Sequence, residues 1–188
     1  MDGYLKYGLP LFGAWIIVSR AMSLIYILFR QYPDLGAYIY LFIGVSILVG
    51  LLAVVAGAVI IVELRDRKWD ITRVAMTFLG IVLIALGVYN VLTHVVFNML
   101  APSLATDNQA VVGWIHNAFR GLTGVAALLI IISLQDEQSV ARMGLFLYSI
   151  VTIAGIVLHY LGMESNPGIG FILALIGIGA GVLIIKRV

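Results

Sequence analysis

The chain has 188 residues, 63% of them hydrophobic and 11% charged, with a mean hydropathy of +1.14 and a formal net charge of +2. Soluble domains average about 25% charged residues, so these charges are too few to cover a water-facing surface; the hydrophobicity excludes intrinsic disorder, and the absence of cysteine excludes a disulfide scaffold and thiolate chemistry. The small net charge comes with no basic stripe, so nucleic acid is not an expected partner, and the partner that the composition demands is a lipid bilayer.

A membrane-crossing helix needs about 20 mostly apolar residues, and six stretches meet that requirement. The first runs over 8–29, with Pro10 suited to a first helical turn. It is too long for the apolar region of a cleavable signal, and no small-x-small site follows it, so it reads as a retained helix. The others run over 37–62, 72–100, 111–134, 141–161 and 168–185. The third is long enough to tilt or to emerge from the bilayer. Period-two alternation is weak throughout, which argues against a β-barrel. The connections are short and polar, so residues 1–188 read as one transmembrane domain: an all-α bundle of six transmembrane helices.

Six spans put both termini on one side. Lys6, Arg65, Arg67, Lys68, Arg73, Arg142, Lys186 and Arg187 share that side, eight of the eleven Lys and Arg residues. The positive-inside rule therefore makes both termini cytoplasmic in a multi-pass protein of the cell membrane.

Two hairpins resemble each other in sequence. Residues 55–66 read VAGAVIIVELRD and residues 125–136 read VAALLIIISLQD, identical at six of twelve positions. After a one-residue gap, Arg73 aligns with Arg142 and Asn90 with His159. Spans two and three then repeat as spans four and five. Both pairs start from the same side, which makes the repeat parallel, with its axis along the membrane normal.

Lipid tails are as apolar as leucine, so membrane helices associate through faces of small residues. Ser46, Gly50, Ala53 and Gly57 form one such face on span two, and Gly170, Ala174, Gly177 and Gly181 form another on span six. They predict tight helix contacts, within the chain or between subunits.

Polar groups inside a membrane are costly and often functional. Asn90, His94 and Asn98 share a face of span three, and His116 and Arg120 share one on span four, beside Asn117. Tyr148, Thr152, Gly155 and His159 share a face of span five. At a rise of 1.5 Å per residue, His94 and His116 each lie ~9 Å below the outer surface and His159 lies ~3–5 Å below it. Asn90, His94, Asn98, His116, Asn117, Arg120 and His159 are therefore candidates for a polar vestibule on the side away from the termini. His94 and His116, at matched depth, are also candidate ligands of haem b or of a metal ion, since neutral imidazole suits iron, copper and zinc. Arg20 and Arg120 sit near mid-membrane, and no Asp or Glu falls within a span core. Each needs a partner, such as a lipid phosphate, an anionic ligand or an acidic residue of another subunit.

No phosphate-binding loop, zinc-protease motif, nucleophile elbow or dinucleotide fingerprint occurs, so an enzyme is not expected. The leading functional reading is a non-catalytic subunit of a larger homo- or hetero-oligomeric membrane complex, partnered by other membrane subunits or copies of itself. The alternatives are a channel or transporter for a small solute or anion, and a membrane redox protein that binds haem or a metal through histidine.

Overall fold

In the computed structural model, residues 6–31, 39–96, 102–134, 139–163 and 166–186 are described. They contain six helices: α1 (Gly8–Gln31), α2 (Ile39–Glu63), α3 (Ile71–Val95), α4 (Pro102–Ser133), α5 (Ser139–Tyr160) and α6 (Pro167–Ile185). All six are long and apolar enough to cross a membrane. The protein is a polytopic, all-α membrane protein.

Local chemistry sets several helix ends. The Asp70 carboxylate accepts from the Arg73 N–H at 2.6 Å and starts α3. Asn166 Oδ1 accepts from the Gly168 N–H at 3.0 Å, with Pro167 in the first turn of α6, where its missing N–H costs nothing. Gly162 stops α5 in the left-handed region at φ 70°, and its N–H reaches the His159 carbonyl.

The fourth helix departs from expectation. Hydropathy marks its start near Val111, but the helix begins at Pro102. The apolar window covers only Ala110–Ser133. Hydropathy detects where a helix enters oil, whereas the backbone hydrogen-bond ladder continues past that point into polar residues.

Each helix packs on its neighbours in the chain, and α6 closes on α1, so the six form a ring in chain order. The antiparallel sense of the closing pair is fixed by two contacts. Gly13 meets Gly181 near the end of the ring that carries the termini, and Gly170 meets Ile27 near the other end. In the terminal half the ring is filled. Phe12, Ile16, Ile60, Met76, Leu79, Leu83, Ile130, Leu145 and Ile184 are all fully buried there. The outward faces are apolar, with Leu48, Val62, Ile81, Ile132 and Ile172 among the exposed side chains, as a lipid-facing surface requires.

The small-residue faces of α2 and α6 are spent on these seams. The Gly50 and Gly57 backbones lie against the Gly87 and Gly80 backbones of α3, where a Cβ on Gly50 would stand 3.0 Å from the Gly87 carbonyl oxygen. On α6, Gly181 meets the Gly13 carbonyl and Gly177 carries the Arg20 side chain. Ala53 and Ala174 are buried. Ser46 turns its hydroxyl back to the Phe42 carbonyl at 2.9 Å and borders the interior cavity rather than a seam.

One clamp between helices joins the terminal ends of α1 and α2. The Glu63 carboxylate accepts from the Tyr7 N–H and the Gly8 N–H, both at 2.8 Å. It thereby caps α1 from another helix and places a negative charge at the positive end of the α1 dipole.

Candidate functional site

The far half of the ring is hollow. A cavity of about 720 Å³ is lined by side chains from all six helices. It runs from Trp15, Arg20 and Tyr148 at mid-span to Tyr26 and Pro167, both exposed, at the end away from the termini.

Its floor is built from α1 and α5. Arg20 lies ~18 Å along α1 from Gly8 by helical rise, and it is buried, with 9% of its surface exposed. Its Cγ, Cδ and Nε lie over Gly177, where a Cβ would approach them to 2.8–3.0 Å. Its Nη2 donates to Thr152 Oγ1 at 3.4 Å. Arg120 approaches the next turn of α5, with its Nη2 3.6 Å from where a Cβ on Gly155 would stand. Thr152 and Gly155 are at i and i+3, neighbours on one helix face. The two guanidinium groups therefore stand on successive turns of α5. They lie close enough to act on each other electrostatically, and Tyr148 also acts on Arg20.

Below them, Phe12, Trp15 and Tyr148 form an aromatic plug. Phe12 and Trp15 stack at 5.8 Å between centroids, and Phe12 and Tyr148 meet edge to face at 5.3 Å. Thr123 donates to the Arg120 carbonyl at 2.7 Å, so in its 2.6 Å contact with Tyr148 the phenol is the donor. The indole Nε1–H of Trp15 is buried without a hydrogen-bond partner among the described residues.

The cavity wall on α3 and α4 is polar. His116 Nδ1 and Asn90 Oδ1 are 3.1 Å apart, and His94 borders the same space. Tyr89 ties this wall together by donating to the Val112 carbonyl at 2.7 Å. On α2 and α6 the wall is mainly apolar, with Phe42, Val49, Ile169 and Leu173, and Ser46 turns its hydroxyl back to its own helix. Among the described residues, no Asp or Glu lines the cavity.

Of the expected vestibule residues, Asn90, His94, His116 and Arg120 converge here. His159 does not line the cavity and packs edge-on against Tyr160 at 5.3 Å. Asn117 is buried but borders no part of the cavity. Asn98 lies outside the described residues. Arg20, a candidate for pairing with a lipid, an anionic ligand or another subunit, lines the same interior space. Sequence reasoning missed Trp15 and the role of Tyr148 as floor, because an aromatic in a membrane span reads as packing. The signal available was their position relative to Arg20: Trp15 and Arg20 share a span, and Tyr148 and Thr152 share a face.

A single arginine fork donates several N–H groups to a carboxylate or phosphate, and two such forks on one wall favour an anion strongly in a low-dielectric setting. Comparison with protein-family models, with curated proteins and with solved structures returns no match.

Proposed function

We propose that the protein binds a small anionic solute inside the ring and acts as a channel or transporter for it. The observation that carries this reading is the convergence of Arg20 and Arg120 on one interior cavity whose described lining contains no acidic side chain. Like charges brought together in a membrane interior cost several kcal/mol, of order 2.5–3.5 kcal/mol per arginine on insertion scales. A bound anion offsets that cost directly. By the positive-inside rule the terminal end is cytoplasmic, so the cavity faces away from the cytoplasm and the aromatic plug of Phe12, Trp15 and Tyr148 separates it from the cytoplasmic half.

This reading stands ahead of the complex-subunit reading because of where the small residues are used. Gly50, Gly57, Gly177 and Gly181 contact groups of the same chain, so they no longer argue for a second subunit. Neither does Arg20, which turns inward. The haem reading has His94 and His116 on the adjacent helices α3 and α4, with one imidazole nitrogen of His116 already engaged by Asn90.

Purified protein in liposomes tests the proposal with chloride, nitrate, phosphate and acetate as the probes. Flux of at least one anion above protein-free liposomes is expected, with loss in Arg120→Ala. Wild-type liposomes no faster than protein-free ones for all four anions would overturn it.

A further inference from the structure

Resting on the reading of this cavity as an anion site, we infer that its ligand is an organic anion: an acidic head held between Arg20 and Arg120, with a single apolar body lying along the α2 and α6 wall of the outer part of the ring. Three observations converge on this class. The first is size. A cavity of about 720 Å³ falls within the range that encloses a drug-sized molecule, whereas a water molecule's share of the liquid is about 30 Å³. An inorganic ion of a few atoms engages the floor and leaves the rest of the space to water. The second is the layout of polarity. The charged and donor groups Arg20, Arg120 and Trp15 lie at the deep end; outward of them the α2 and α6 wall is mainly apolar, with Phe42, Ile169 and Leu173, while the α3 and α4 wall carries Asn90, His94 and His116. Apolar walls around water are unfavourable, and an apolar body releases that water.

The third is Trp15. It is 5% exposed, it borders the cavity, and its Nε1–H has no partner among the described residues. Buried donors are almost always satisfied, and leaving one unmet costs about 1–3 kcal/mol. An oxygen of a head group seated on Arg20 supplies the missing acceptor. Trp15 lies on α1 about 7.5 Å toward the termini from Arg20 by helical rise, and both side chains border the cavity.

The test is titration calorimetry on wild-type protein in zwitterionic nanodiscs, with empty nanodiscs subtracted. The probes are chloride, phosphate, acetate, butyrate and hexanoate. Kd is expected to tighten about fourfold per buried methylene from acetate to hexanoate, with all carboxylate binding weakened at least thirtyfold in Arg20→Gln. Leu173→Trp narrows the apolar wall without touching the charges. It is expected to remove the gain with chain length and to leave acetate binding in place, which keeps the inference testable should Arg20→Gln not fold. Palmitate preloaded into the bilayer, read by mass spectrometry of the intact particle, distinguishes a ligand drawn from lipid from one drawn from water; either source supports the inference when retention depends on Arg20. Arginine-dependent binding with no gain along the series overturns the organic body and leaves the anion site standing. A gain that survives both substitutions reports partitioning into the bilayer and overturns the inference. Failure of every anion to bind overturns the anion site with it.

Discussion

The hairpins α2–α3 and α4–α5 run in the same sense and share a sequence pattern, yet they close by different chemistry. In α2–α3 two glycine pairs, Gly50 with Gly87 and Gly57 with Gly80, bring backbone onto backbone. In α4–α5 the contacts are hydroxyls: Ser149 donates to the Gly124 carbonyl at 3.1 Å, and Tyr148 meets Thr123 at 2.6 Å. Here Gly124 has ordinary room, with the nearest Thr152 atom 3.5 Å from an added Cβ. In the register that aligns residue 55 with residue 125, Gly50 falls at Arg120, and after the one-residue gap Gly80 falls at Ser149. The position that seals one hairpin thus carries, in the other, the charge that lines the cavity. Two hairpins of one ring can close by backbone contact or by hydroxyl contact through exchanges at a few seam positions.

This contrast can be broken by substitution. The largest effect is expected at Gly57, where a Cβ would collide with the Gly80 carbonyl of the facing backbone. Gly57→Val should lower stability by about 1–3 kcal/mol, the usual cost of overpacking, read as a lower unfolding midpoint in mild detergent. Gly177 sits against a side chain rather than a backbone, so its substitution should act on the site more than on the fold. Gly177→Ala pushes on Arg20 Cγ, Cδ and Nε, and should weaken anion binding about tenfold, equivalent to about 1.4 kcal/mol, with little change in the melting temperature. The smallest effect belongs to the loose hairpin. Gly124→Ala should change stability by no more than about 0.5 kcal/mol, because the space exists and alanine favours the helix. If Gly124→Ala proved as costly as Gly57→Val, the two hairpins would be equally tight and the comparison would fail.

The six helices were legible because oil demands about 20 apolar residues in a row, and that demand is written locally. The faces were legible for the same reason: Asn90 and His94 are one turn apart, as are His116 and Arg120. What faces what was not legible. Arg20 reaches Thr152, 132 residues away, only because the ring closes α1 onto α6 beside α5, and no span carries that information by itself. The glycine faces were visible, but a stripe of small residues does not say whether its partner is in the same chain. Glu63 reads as a loop charge, yet it caps a helix more than fifty residues away. The polar start of α4 was hidden because hydropathy and helicity are independent properties.

The ring order of the helices has a consequence for how the molecule is made. A ribosome delivers α1 first and α6 last, so each new helix lands beside the one before it, and only the final arrival meets the first. Until then Arg20 has no Gly177 to lie on. The last of the six helices therefore does more than complete the circle: it brings Gly177, the surface under a side chain that Thr152 of α5 already engages.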